Sequence, residues 1–130
     1  PPQRLRGYLT GSIDSVLRTP DGRFVIVDYK TNRLRPGDLS AEDFDRTSMA
    51  AEMSAANYPL QALLYSVALH RYLRWRLPGN RALDHLGPVQ YHFVRGMVGS
   101  QTPPGCGVFE WSVPAALVED LSDLLAEGDR

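Results

Sequence analysis

One stretch constrains the fold of this chain more than any other, residues 23–31, which carry an apolar run that ends in two charged side chains. The sequence "RFVIVDYKT" is rich in β-branched and aromatic residues, which favour a pleated and buried surface. It therefore predicts a strand. Residues 7–18 have a similar apolar and β-branched character, and residues 19–22 ("TPDG") are typical of a turn. This part of the chain is expected to form a β-hairpin.

The turn sequence also determines which residues face each other across the hairpin. Residues 20–22 ("PDG") fit a three-residue loop, in which a type I turn is followed by a glycine in the left-handed conformation. Such a loop pairs Thr19 with Arg23, and counting along both strands then places Asp14 opposite Asp28. A two-residue loop would instead place Asp14 and Asp28 on opposite faces of the sheet.

Lys30 is the only lysine, since every other member of the 14 Lys and Arg residues is arginine. Strand alternation puts Lys30 on the same face as Asp28, which predicts a cluster of Asp14, Asp28 and Lys30. Two opposed carboxylates repel each other unless a cation lies between them. Mg²⁺ suits this spacing because it takes one or two carboxylates and keeps its waters. The backbone carbonyl of Tyr29 is a further candidate ligand.

The lysine has a chemical reason to stand beside such a cation. Lys30 would orient the attacking water or stabilise negative charge that develops on a phosphate. A compact ammonium on a flexible stem suits that role better than a planar guanidinium. A simpler explanation stays open at this point, because an aspartate and a lysine two residues apart often form nothing more than a solvated strand edge.

The rest of the chain alternates helices and strands. Residues 58–76 form the strongest predicted helix, with Pro59 in its first turn. Its predicted apolar face consists of Leu60, Leu63, Leu64, Val67 and Ala68. Residues 32–48 are polar and predict an irregular excursion. The remaining predicted elements are a short helix over 49–56, strands over 88–95 and 108–113, and a helix over 114–127. The order β-β-α-β-β-α predicts an α/β fold with a crossover connection.

Composition limits the classes of protein that fit. A length of 130 residues indicates a single domain over residues 1–130. The formal net charge of −1 excludes a bulk basic field, and no apolar run reaches the ~18 residues of a transmembrane helix. Cys106 is the only cysteine, which excludes an internal disulfide and a four-cysteine metal site. A cytoplasmic setting is expected, and the start lacks a signal peptide, as in a domain cut from a longer protein.

An ordered set of motifs adds a resemblance to a known family. Asp14 lies in "GSID", "VDYKTN" follows at residues 27–32, and "QALLY" places Gln61 and Tyr65 on the strongest predicted helix. With the longer segments "MAAEMSAANYPLQALLYSVALHRYLRWRL" and "GPVQYHFVRGM", this set resembles the RecB-type branch of the PD-(D/E)xK nucleases. The resemblance implies a restriction-endonuclease-like mixed sheet flanked by helices, here without the family's first helix.

The resemblance also implies a function and roles for the site residues. It implies metal-dependent hydrolysis of DNA phosphodiester bonds, with Mg²⁺ as the cofactor and Mn²⁺ as a substitute. Asp14 and Asp28 match the family's metal-binding acids, and Lys30 matches its catalytic lysine. Gln61 and Tyr65 match an element that supports the active site or contacts DNA, although their spacing of one helical turn also suits ordinary packing.

The implied setting is an exodeoxyribonuclease V type enzyme that acts in double-strand break repair. Its expected partners are DNA, RecC-like and RecD-like subunits, and the rest of a RecB-like chain, with no membrane. An alternative is a catalytically incomplete nuclease-like module that guides DNA or binds subunits. The family's upstream histidine ligand matches nothing in this sequence, so the isolated chain is expected to be weakly active or inactive. An iron–sulfur nuclease relative is disfavoured by the single cysteine.

Overall fold

The computed structural model of this chain describes residues 7–79 and 81–127. A four-stranded sheet in the order β1-β2-β3-β4 forms its centre, with helices packed against it. The strands are β1 (Ser15–Arg18), β2 (Phe24–Lys30), β3 (Leu86–Phe93) and β4 (Val108–Trp111), and the helices are α1 (Arg46–Ala55), α2 (Tyr58–Arg76) and α3 (Ala115–Glu127). Within the described ranges, no helix is both long enough and apolar enough to cross a membrane.

The hairpin has the loop that its sequence predicts. The Thr19 backbone N–H donates to the carbonyl of Arg23 at 2.8 Å, and Gly22 has a φ of +84°, in the left-handed region that favours glycine. Strands β1 and β2 are antiparallel, with Ser15 paired with Val27. This pairing places Asp14, one residue before β1, at the end of the hairpin where Asp28 lies.

The first predicted strand is wrong over its amino-terminal half. Residues 7–14 lie outside β1, which spans only Ser15–Arg18. Gly7 and Gly11 have no side chain to pack, and nearly all of residues 7–14 are exposed. Without burial, β-branched and apolar residues have little to gain from an extended ladder, because strand propensity mostly reflects packing against neighbours.

Strand β2 occupies an interior position, and its second neighbour is parallel. Strand β3 runs parallel to β2, with Asp28 beside Tyr91 and Lys30 beside Phe93. Helices α1 and α2 make the connection between them, as a parallel pair requires. Strand β4 is antiparallel to β3, so the sheet is mixed, as predicted. Val25, Ile26, Val27 and Asp28 are all buried, which explains why this strand reads as a continuous apolar run.

Residues 32–48, predicted as a polar excursion, contain one residue that anchors the segment to the core. Phe44 is fully buried, and its carbonyl accepts a hydrogen bond from Gly107 N–H at 2.9 Å. A Cβ atom on Gly96 would lie 2.5 Å from side-chain atoms of Phe44, so only glycine fits there. Helix α1 begins at Arg46, earlier than predicted, because Asp45 caps it by accepting a hydrogen bond from Ser48 N–H at 2.8 Å.

Helix α2 has the predicted bounds but buries a different face. Its buried residues are Ala62, Ser66, Val67, Leu69, His70 and Leu73. Of the predicted apolar face only Val67 is buried, and Leu60 is 57% exposed. The helix packs against α1, α3 and β3 together. Small residues such as Ala62 and Ser66 therefore face its neighbours, while Leu63 and Leu64 are only partly buried.

We predict that His70 makes the fold sensitive to acid. The ring is 5% exposed, and its Nδ1 has no hydrogen-bond partner among the described residues. Burial, followed by the charge of Arg74, lowers the pKa of His70. The folded state then resists protonation, so stability falls as the pH drops through the ordinary histidine pKa. When the pH is lowered from 7 to 5, the free energy of unfolding of His70→Leu should rise relative to that of wild type by about 1 kcal/mol.

Urea denaturation at both pH values measures this difference. The comparison is the free energy of unfolding of His70→Leu minus that of wild type, so that other titrating groups cancel. If the difference were the same at pH 7 and pH 5, His70 would not be a source of acid sensitivity.

Candidate active site

Asp28 and Lys30 form an ion pair at the carboxyl end of β2. Lys30 Nζ lies 2.7 Å from Asp28 Oδ2, and the two side chains are 12% and 5% exposed. Both point to the same face because they are two residues apart on one strand. The pair is therefore nearly withdrawn from water, at the edge of the core where the central strand ends.

Asp14 joins this pair from the other arm of the hairpin. Its Oδ2 accepts a hydrogen bond from the Tyr29 backbone N–H at 3.0 Å. This bond fixes the Asp14 carboxylate beside the end of β2. The structure thus brings together Asp14, Asp28 and Lys30, the three side chains that the loop length and strand alternation group on one face.

The environment of Asp28 favours its neutral form. Burial raises the pKa of Asp28 most, and the neighbouring charge of Asp14 raises it further, while Lys30 acts in the opposite direction. A carboxylate held in this way gains stability from any cation that approaches both acids. The negative charge of the two aspartates therefore exceeds the single positive charge of Lys30 beside them.

Gln61 and Tyr65 contact the same cluster from helix α2. Gln61 Oε1 accepts from Lys30 Nζ at 3.3 Å, and its Nε2 donates to the Tyr65 hydroxyl at 2.9 Å. Burial, then the charges of Asp28 and Asp14, raises the pKa of Tyr65. The glutamine thus links the lysine to the tyrosine one helical turn away.

Tyr58 and Tyr91 complete the surroundings of Lys30. Neither was predicted as a site residue. The Tyr91 hydroxyl donates to Gln61 Oε1 at 3.2 Å and lies equally far from the Tyr58 carbonyl. Burial, then the charge of Asp28, raises the pKa of Tyr91, so its hydroxyl keeps the proton that it donates. Tyr91 alternates inward in the sequence of β3, but only the parallel register reveals that it lies beside Asp28.

The carboxylate oxygens of the site are suitable ligands for a hard divalent cation. Asp28 Oδ2 is buried and accepts no hydrogen bond from the described residues. Lys30 Nζ lies at ion-pair distance from it. Asp14 and Asp28 would hold the cation, and water would fill its remaining positions, as is usual for Mg²⁺. The described residues form no cluster of three or more His, Cys, Asp or Glu side chains suited to a metal. The Tyr29 carbonyl stays a predicted ligand.

Comparison with known proteins decides the family. Residues 4–106 match the sequence pattern of the PD-(D/E)XK nuclease superfamily. The chain belongs to this superfamily. Asp14, Asp28 and Lys30, which the resemblance implies as the acids and the lysine of the family's site, stay predictions as site residues.

Individual relatives carry one name. The chain is 57% identical over 129 residues to "RecBCD enzyme subunit RecB" of Mycolicibacterium smegmatis, which covers 95% of this chain and 12% of that protein. It is 55% identical over 131 residues to the protein of the same name from Mycobacterium tuberculosis. The protein of that name from Escherichia coli is 39% identical over 123 residues, 95% of this chain and 10% of its own length.

PD-(D/E)XK nucleases generally use divalent metals, so we predict that Mg²⁺ stabilises the folded chain. At a free Mg²⁺ concentration about ten times its dissociation constant, the free energy of unfolding should rise by about 1.4 kcal/mol. Thermal denaturation with and without Mg²⁺ measures the shift. Asp28→Asn should abolish it, whereas Asp120→Asn, a change to an exposed carboxylate on α3, should leave it intact. Equal shifts in both variants would place the metal elsewhere.

Proposed function

We propose that this chain is a nuclease domain that hydrolyses DNA phosphodiester bonds with Mg²⁺, for which Mn²⁺ can substitute. The observation that carries the proposal is the meeting of Asp14, Asp28 and Lys30 at one strand end, with Gln61 bound to the lysine. A solvated strand edge would leave Asp28 and Lys30 exposed, whereas their side chains are only 5% and 12% exposed.

The two aspartates have the first role. Asp14 and Asp28 would hold the divalent cation, which when bound lowers the pKa of a bound water and offsets charge on the phosphate. The hydrogen bond from Tyr29 N–H orients Asp14, and strand β2 fixes Asp28. Asp28 therefore stands on a buried strand, and Asp14, one residue before β1, is held beside it by the hydrogen bond from Tyr29.

Lys30 has the second role, which is to supply positive charge at the reacting phosphate or to orient the attacking water. An ammonium has three N–H donors. Gln61 accepts a hydrogen bond from one of them, and Asp28 lies at ion-pair distance without such a bond, so donors remain for the substrate. Burial strengthens the field of this charge, because few waters screen it. The Gln61–Tyr65 pair supports this arrangement by holding the amide of Gln61 in one orientation.

A second candidate function follows from the small number of ligands. Among the described residues, the site contains two carboxylates and no third acidic or histidine side chain suited to the metal. The chain also has a net charge of −1, which provides little general attraction to phosphates. These features favour a catalytically incomplete module that guides DNA or binds subunits. The ion pair with Lys30 favours the enzyme, since a guiding module does not need it.

The larger setting is also part of the proposal. The chain spans 12% of the length of the mycobacterial relatives, which are named as a subunit of the RecBCD enzyme. We infer a RecB-like parent chain that assembles with RecC-like and RecD-like subunits, cuts DNA as an exodeoxyribonuclease V, and takes part in double-strand break repair. A cytoplasmic setting stays a prediction from the single cysteine.

The roles of Asp28 and Lys30 predict a separation of two activities. In the intact parent protein, Asp28→Ala or Lys30→Ala should reduce DNA cleavage by about 100-fold or more, as removal of a charge-stabilising group does in other enzymes. Unwinding should remain, because neither residue belongs to a motor. Cleavage of end-labelled linear DNA and strand separation are measured in parallel. Near wild-type cutting by either variant would refute its assigned role.

The isolated chain should fold but cleave poorly. Its near-neutral surface gives weak affinity for DNA, and loss of a metal ligand or its supporting groups commonly costs about 10- to 100-fold in metal affinity or activity. The measurement is a gel assay of residues 1–130 on single- and double-stranded DNA with Mg²⁺. Asp28→Ala serves as the control for contaminating nucleases. Strong wild-type cleavage that disappears in Asp28→Ala would show that this chain is sufficient.

A further inference from the structure

Lys30 lies against the face of an aromatic ring that the proposed chemistry does not use. Its Nζ is 4.0 Å from the centroid of the Tyr58 ring and 5.4 Å from that of Tyr91. The two rings are stacked on each other, with centroids 5.7 Å apart and an interplanar angle of 15°. A cation at such a distance from a ring face is attracted by the ring quadrupole, more strongly when both are withdrawn from water.

We propose that Tyr58 is a positioning residue for Lys30, and that its ring face holds the ammonium in place for catalysis. The inference rests on the proposed function, in which Lys30 acts on the substrate. Asp28 and Gln61 restrain the ammonium through polar contacts, but a lysine stem has four flexible carbons. The ring restrains it through an attraction to its positive charge.

The structure holds Tyr58 itself in place from several directions. It is the first residue of α2, directly after Asn57, which has a φ of +56° and separates α2 from α1. Asn32 Nδ2 donates to the Tyr58 hydroxyl at 3.0 Å and to Glu52 Oε1 at 2.8 Å. Because Asn32 follows Lys30 by two residues, this bond ties the segment after β2 to the start of α2.

The Tyr91 ring, which is stacked on the Tyr58 ring, helps to fix the position of Tyr58. Tyr91 is fully buried in β3 and therefore offers a rigid surface to the Tyr58 ring. The Lys30 ammonium lies 4.0 Å and 5.4 Å from the two ring centroids, which are 5.7 Å apart, so the three groups form one cluster at the edge of the core. A side chain that only filled space at residue 58 would need neither a planar face nor a hydroxyl directed towards Asn32.

Kinetics on the intact parent protein test this role. Tyr58→Phe keeps the ring face and removes the hydroxyl, whereas Tyr58→Leu removes the face. We expect Tyr58→Phe to stay within about threefold of wild type and Tyr58→Leu to lose about tenfold or more in kcat, with little change in KM for DNA. Equal activity of the two variants, or an equal loss in both, would overturn the proposal.

A spectroscopic measurement tests the contact without relying on activity. Lys30 is the only lysine of this chain, so selective ¹³C-lysine labelling of residues 1–130 gives one set of lysine side-chain signals. The Tyr58 ring current should shift the Lys30 Hε resonances upfield. Tyr58→Phe should preserve this shift and Tyr58→Leu should reduce it. An unchanged shift in Tyr58→Leu would overturn the proposal.

Two controls separate this inference from other outcomes. Circular dichroism checks that each variant is folded, and Tyr58→Met, which is flexible and has no ring, replaces Tyr58→Leu if the latter unfolds. Lys30→Ala tests the proposed function itself. Full cleavage by Lys30→Ala would refute catalysis by the lysine while leaving the ring-current result in force. Loss of cleavage in Lys30→Ala without any effect of Tyr58→Leu would refute only the role of Tyr58.

Discussion

A buried ion pair at the end of the central strand governs the rest of this structure. Removing an ammonium and a carboxylate from water costs several kcal/mol for each ion, and their mutual attraction offsets this only when further contacts satisfy them. Lys30 obtains such contacts from helix α2, and the hairpin adds a second carboxylate beside the pair. Gln61 accepts from the lysine, the Tyr58 ring covers it, and the hairpin carries Asp14 to the same end. The β1–β2 hairpin and helix α2 therefore meet at the charged end of β2.

The crossover between β2 and β3 explains how distant residues reach this point. A parallel pair needs a long connection, and here that connection is α1 and α2, whose junction lies over the strand end. Tyr58 opens α2 there, and Gln61 and Tyr65 follow along its first two turns. The same connection anchors its first part through Phe44, which fills a space that Gly96 leaves open. Core packing and the placement of polar groups are thus achieved by one segment.

The sequence specifies the local geometry of this site better than its surroundings. Residues 20–22 were enough to predict that Asp14 and Asp28 share a face, because loop length fixes the parity of a hairpin. The bounds of α2 were also predictable from its length and from Pro59. The buried face of α2 was not, because Ala62 and Ser66 carry no strong apolar signal and three neighbours compete for the helix. Phe44 and Tyr58 were missed since their partners are distant in sequence.

The parallel register of β2 and β3 has a consequence for folding. Strand side chains alternate, so a slip of one residue would exchange the two faces of β2. Ile26 would leave the core on the same side from which Asp28 and Lys30 would withdraw, and Tyr91 would lose its place beside Asp28. A change of register at this pair would therefore disturb the packing of Ile26 and the surroundings of Asp28 together. For this domain, conditions that select the native packing of β2 against β3 therefore also select the arrangement of its candidate site.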